Sequence, residues 1–151
     1  MRLAEALKLR ADLNTRLLEL GGRLNSNAKV QEGESPAEDP GDLLAELDAV
    51  SDQMQDLITR INLTNSITRA DDGRTLTELI ARRDILIRKS EILRAFLNEA
   101  GSLVNRYSST EIRVQSTVNV RDLRKVVDSV AEEARSIDVR IQELNWTTDL
   151  V

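Results

Sequence analysis

The 151-residue sequence contains no cysteine and no histidine, and only 2% of its residues are aromatic. Without cysteine, disulfides, thiolate nucleophiles and zinc–thiolate sites are excluded. Without histidine, the chain has neither the commonest general base nor the commonest metal ligand. We therefore expect a protein that is not an enzyme and that holds no cofactor. With one Phe, one Tyr and one Trp, the core must consist of Leu, Ile and Val, as in helical bundles.

Long apolar runs are missing as well. No stretch approaches the roughly 18 apolar residues that a membrane span needs. The first ten residues interleave leucines with Arg2, Glu5, Lys8 and Arg10, which is unlike the apolar segment of a signal peptide. We expect a cytoplasmic protein and no membrane partner.

The net charge of −5 is unevenly distributed. Residues 1–30 carry six basic and three acidic side chains, residues 31–59 carry nine acidic and no basic ones, and residues 74–106 carry seven basic and four acidic ones. Sequential antiparallel packing would place the acidic second helix between or across the first and third. The overall negative charge argues against binding to nucleic acid, and we expect no such partner.

The apolar spacing predicts an all-α single domain over residues 1–151, with four long, mostly antiparallel, coiled-coil-like helices. The predicted helices cover about 3–27, 40–62, 75–105 and 120–144, with an acidic loop at 28–39. Gly21-Gly22 interrupts the first helix, which either tolerates the pair because something packs close there or ends early. We expect it to continue, because Leu24 keeps the apolar period. The third helix carries apolar residues over a wide part of its surface, which predicts a central helix that packs against two or more other elements.

Residues 110–118 change to the alternating, β-branched pattern of a strand. This short extended or β segment would pair with the connector before Thr75, pair with another subunit, or lie across the helices. The connector itself, residues 62–74, carries an Asp71-Asp72-Gly73 turn signal.

Six residues are candidates for an assembly interface: Arg10, Arg83, Leu13, Leu17, Leu93 and Trp146. Arg10 and Arg83 occupy seam positions, which are the mostly apolar positions at which one helix contacts another. A charge there is costly unless it is paired. Each would meet a carboxylate of the acidic second helix or of another subunit, or would extend to the surface along its methylene stem. Trp146 would dock on the bundle and hold the chain end, or anchor a neighbouring subunit.

Four segments carry a resemblance to a known family. They are the N-terminal MRLAEALKLRADL, the NAKVQEGE-SPAEDP stretch, Asp72-Gly73-Arg74-Thr75-Leu76-Thr77, and the closing QELNWTTDL. With these the chain resembles a family of uncharacterised bacterial helical proteins, some members of which are labelled septicolysin-like after a pore-forming toxin. The resemblance implies a helical, coiled-coil-like, self-associating fold and carries over no catalytic residue.

The sequence thus predicts a structural or interaction protein whose partner is itself, in a homo-oligomer. Surplus apolar faces on the first and third helices support this prediction. One alternative is a septicolysin-like membrane-active, pore-forming protein. A second alternative is a metal-binding protein that uses carboxylates, since the acidic segment is rich in oxygen ligands.

Overall fold

The computed structural model describes residues 1–102 and 113–151 and contains four helices. They are α1 (Leu3–Ser26), α2 (Pro40–Ile67), α3 (Leu76–Gly101) and α4 (Val120–Thr147). The predicted all-α fold of four long helices is confirmed.

The helix starts follow from local capping. Asp39 precedes Pro40, and its carboxylate accepts a hydrogen bond of 2.7 Å from the Gly41 amide. Thr75 and Glu78 form the predicted capping box, in which each side chain accepts a bond from the backbone of the other residue. The Asn119 side chain accepts from the Asp122 amide at 3.1 Å. Each of these contacts satisfies an amide that a helix start leaves without an intrahelical partner.

Three helix ends differ from the prediction. Helix α2 runs to Ile67 rather than to about residue 62, because Thr64 is fully buried and its hydroxyl donates to the Arg60 carbonyl at 2.8 Å. Helix α4 runs to Thr147 rather than to about 144, because Leu144 and Asn145 are buried in its last turn. Helix α3 ends at Gly101, and the predicted residues 103–105 lie outside the described ranges.

The first compact unit consists of Met1–Arg69 and Leu144–Val151. In it α1 and α2 form an antiparallel hairpin, with buried leucines from both helices at the contact. The last residues of the chain cross the hairpin near the start of α1, where the Leu3 amide donates to Thr148 and the Leu150 amide donates to Met1.

The second compact unit is Ala70–Glu143. A turn at residues 70–74 leads into α3, and Gly73 takes a φ of +84° there, as the predicted Asp-Asp-Gly turn requires. Ion pairs from Arg82 to Glu133 and from Arg83 to Asp138 connect α3 with α4. The single domain over residues 1–151 stays a prediction.

The predicted strand is not observed in the part of residues 110–118 that the structure describes. Residues 113–118 are irregular, and residues 110–112 lie outside the described ranges. An antiparallel bridge joins Arg2 to Asp149, and Arg69 and Thr75 are also in bridge geometry. Alternation alone cannot produce a strand here, because a strand needs a partner for its backbone groups.

Gly21 and Gly22 lie inside α1, so the predicted continuation of the helix is confirmed. The close packing that would make the pair tolerated is not present within the described chain. A Cβ added at either residue would meet no atom within 4 Å among the described residues. The helix continues because Leu20 is fully buried just before the pair, and the surrounding turns supply the packing.

Candidate functional site

The α1–α2 hairpin shows the predicted pairing of basic and acidic segments. Arg16 of α1 binds Glu46 of α2 at 2.6 Å, and Arg23 binds both Glu38 and, at 3.4 Å, Glu46. The Arg23 guanidinium, which donates hydrogen bonds to Glu38, lowers the pKa of that carboxyl below its ordinary value. A hydrogen bond from Arg16 likewise lowers the pKa of Glu46. Glu38 and Glu46, two of the nine acidic residues of the segment 31–59, thus pair with α1 across this hairpin.

The two seam arginines have different environments. Arg83 is 23% exposed and binds Asp138 of α4 at 3.0 Å and Asp84 at 2.8 Å. A carboxylate does pair with it, although this carboxylate lies on α4 and not on the acidic second helix. Arg10 is exposed on α1, which fits the alternative in which the side chain extends to the surface.

The three candidate leucines lie mainly within the chain's own packing. Leu13 is 4% exposed and belongs to the core of the first unit. Leu17 on α1 and Leu93 on α3 are half-buried. Leu13 therefore offers little surface to a partner, and Leu17 and Leu93 offer only part of theirs.

Trp146 is 65% exposed on the last turn of α4, so its predicted docking on the bundle is wrong. The chain end is held instead by Leu150, which is buried, and by the backbone bonds to Met1 and Leu3. Trp146 stays a candidate anchor for another subunit.

An apolar stripe on α3 is a feature that the six sequence candidates miss. Ile85, Ile92 and Phe96 are 56%, 65% and 45% exposed. Their spacings of seven and four residues put them on one face of the helix. Leu79 and Leu86, which lie on the neighbouring face of α3, are almost fully buried. We name Ile85, Ile92 and Phe96 the α3 stripe. Because about half of each side chain is exposed, α3 is not enclosed on all sides as a central helix would be.

Basic residues flank the α3 stripe. Arg88 and Lys89 lie between Ile85 and Ile92 and are exposed. Neither forms an ion pair within residues 1–102 and 113–151. The stripe is therefore an amphipathic surface with an apolar centre and a cationic edge.

Two kinds of site are absent from the described ranges. No group of three or more acidic side chains there is arranged to hold a metal ion. None of the helices is both long enough and apolar enough to cross a membrane, as far as the described residues go.

Comparison with known proteins places the chain among relatives of unknown function. The model of the family of unknown function DUF6847 matches residues 10–150. The chain belongs to this family. Among solved structures, a functionally unknown conserved protein from Corynebacterium diphtheriae is similar to this DUF6847 chain. It shares 42% sequence identity with a TM-score of 0.89, and the match covers 100% of this chain and 99% of that one. No curated protein matches.

Proposed function

We propose that this DUF6847 protein is a non-enzymatic structural or interaction protein that associates with copies of itself through α3. The observation that carries the proposal is the exposure of the α3 stripe on a well-formed helix of 26 residues. Contiguous exposed apolar residues of this kind mark interaction surfaces more often than isolated ones do.

The stripe suits an antiparallel contact between two copies. If two α3 helices cross about a two-fold axis centred between residues 90 and 91, Phe96 of each copy lies opposite Ile85 of the other. Ile92 then lies opposite Lys89, whose methylene stem can cover it while the ammonium stays in water. A contact that is complementary to itself in this way is the arrangement of most homodimers.

Light scattering coupled to size-exclusion chromatography tests the proposal. We expect the wild-type mass to exceed the 16.9 kDa of one chain at micromolar concentration. Ile92→Lys should reduce the mass to that of one chain, because it places a charge in the apolar contact. Leu18→Lys is the matched control, since Leu18 is an exposed apolar residue on α1 (72% exposed) outside the stripe; it should behave as wild type. A wild-type mass of one chain at every concentration overturns the proposal.

Trp146 supplies a second variant for the same measurement. If it anchors a neighbouring subunit, as the sequence suggests, Trp146→Ser should weaken association too. Association that is unchanged in Trp146→Ser and lost in Ile92→Lys assigns the contact to α3 alone.

The septicolysin-like alternative rests on the same stripe, because an apolar helix face with a cationic edge also suits a lipid surface. Dye release from liposomes that contain anionic lipid supports this alternative, and intact liposomes over the tested pH range remove it.

Carboxylate-based metal binding stays a prediction from the acidic segment. A thermal-shift series with Mg²⁺ and Ca²⁺ tests it, and an unchanged unfolding temperature ends it.

A further inference from the structure

A groove between α3 and α4 has the features of a small-ligand site. It has a volume of about 320 Å³ and lies wholly within the second unit. Three small buried residues form its deepest part: Ser90, Ala131 and Ala134, exposed by 5%, 8% and 7%. The volume is within the range of ligand pockets, at its lower end.

The hydroxyl of Ser90 is the first observation that points to a ligand. Five hydroxyls elsewhere on these helices donate to the carbonyl four residues earlier: Thr15, Ser26, Ser51, Thr59 and Thr64. The Ser90 oxygen is buried in the groove and has no hydrogen-bond partner among the described residues. A buried polar group without a partner is costly and rare in folded proteins.

The charges around the groove are the second observation. Arg94 of α3 and Arg135 of α4 line it and are exposed. Neither forms an ion pair within the part of the chain that the structure describes, whereas Arg82, Arg83 and Arg140 of the same unit all do.

The charge balance limits the ligand class. Glu91 is the one acidic side chain lining this groove, so with Arg94 and Arg135 the local formal charge is +1. That charge suits a monoanion better than a dianion such as phosphate. A planar guanidinium also matches the geometry of a carboxylate.

We propose that this groove binds a small monocarboxylate with a short apolar chain. The carboxylate pairs with Arg94 and Arg135 and accepts a hydrogen bond from the Ser90 hydroxyl, which rotates towards the bound oxygen. The apolar chain contacts Ile87 and the methyl groups of Ala131 and Ala134. The groove faces away from the α3 stripe, so this site does not depend on self-association.

Nuclear magnetic resonance with ¹³C-labelled alanine methyl groups tests the site, and hexanoate is the probe. We expect hexanoate to shift the methyl signals of Ala131 and Ala134 in a saturable way, with much weaker shifts from hexanol and from inorganic phosphate. Equal shifts from hexanol would show an apolar cleft without carboxylate recognition and overturn the proposal. Equal shifts from phosphate would overturn the monoanion assignment.

Variants of the full chain assign the contacts. Arg135→Gln and Arg94→Gln should each weaken hexanoate binding about tenfold or more, because each removes a charge-assisted hydrogen bond. Arg121→Gln, on α4 outside the groove, is the matched control and should bind as wild type.

Ser90→Ala separates a binding role from a structural one. It should raise the unfolding temperature of the free protein, because an unpaired buried hydroxyl is removed, and should weaken hexanoate binding. A higher unfolding temperature with unchanged hexanoate binding would refute the role of Ser90. Variants of both arginines that bind hexanoate as wild type does would refute the site.

Discussion

Replacing the glycine pair in α1 should stabilise the protein. Gly21 and Gly22 have helical neighbours on both sides, and an added Cβ meets open space at both positions within the described chain. Alanine in a helix interior is favoured over glycine by about 1 kcal/mol. Gly21→Ala and Gly22→Ala should therefore each raise the free energy of unfolding by about 1 kcal/mol. Because neither added Cβ meets another atom of the described chain, each substitution contributes its own helix propensity, and the double variant should gain about 2 kcal/mol.

Two other glycines serve as matched controls. Gly33 and Gly73 have φ angles of +86° and +84°, and an added Cβ also meets no atom there. Alanine at a positive φ is strained, so Gly33→Ala and Gly73→Ala should destabilise the protein by about 1 kcal/mol or more. The effect of the same Gly→Ala substitution on the free energy of unfolding is thus expected to change sign with the backbone φ angle alone.

Urea unfolding followed by far-ultraviolet circular dichroism measures all four variants. If Gly21→Ala or Gly22→Ala destabilises the chain with an unchanged slope of free energy against urea, the reasoning is refuted. In that case another molecule, such as a second copy, must pack against α1 at the pair. Comparing protein concentrations then shows whether the loss appears only in the associated form.

Two further predictions concern charge and packing in the first unit. The Arg23 guanidinium lowers the pKa of Glu38. The stability that this pair contributes is therefore full above the ordinary carboxyl pKa of about 4.3 and is lost as pH falls through the lower folded pKa. In Arg23→Gln, a carboxyl titration by nuclear magnetic resonance should show the pKa of Glu38 back near its ordinary value, and an unchanged titration curve would contradict the assignment. Leu20→Ala should cost about 2–5 kcal/mol because Leu20 is 0% exposed, whereas Leu18→Ala, at 72% exposed, should cost less than about 0.5 kcal/mol. Similar losses in urea unfolding for both leucine variants would mean that the burial of α1 is misassigned.

Helix starts could be predicted from sequence because capping is local. Asp39, Thr75 and Asn119 satisfy amides two or three residues away, so the signal lies within one short segment. The end of α2 could not be predicted in this way. Asn62 and Ser66 resemble a connector, and only the tertiary burial of Thr64, which also accepts a bond from the Val151 amide, keeps that segment helical.

The candidate surface was harder to predict than the fold. On α3, Ile85 and Leu86 are adjacent apolar residues, and the sequence does not say which of them α4 and the rest of the chain cover. The structure buries Leu86 and leaves Ile85 exposed. Trp146 shows the same limit, because its aromatic character favours burial while its position on the last turn of α4 leaves it exposed.

The central claim, that copies associate through α3, is tested most directly by a distance between two copies. The chain has no cysteine, so Arg88→Cys carries one spin label per chain at the edge of the α3 stripe. In the antiparallel contact the two labelled backbone positions lie about 12 Å apart, a distance that combines their offset along the helices with the spacing between the packed helix axes. Double electron–electron resonance should therefore show a distance below about 30 Å, set by this spacing and the two label arms. A distribution without such short distances, at a concentration where light scattering shows oligomers, would contradict the claim.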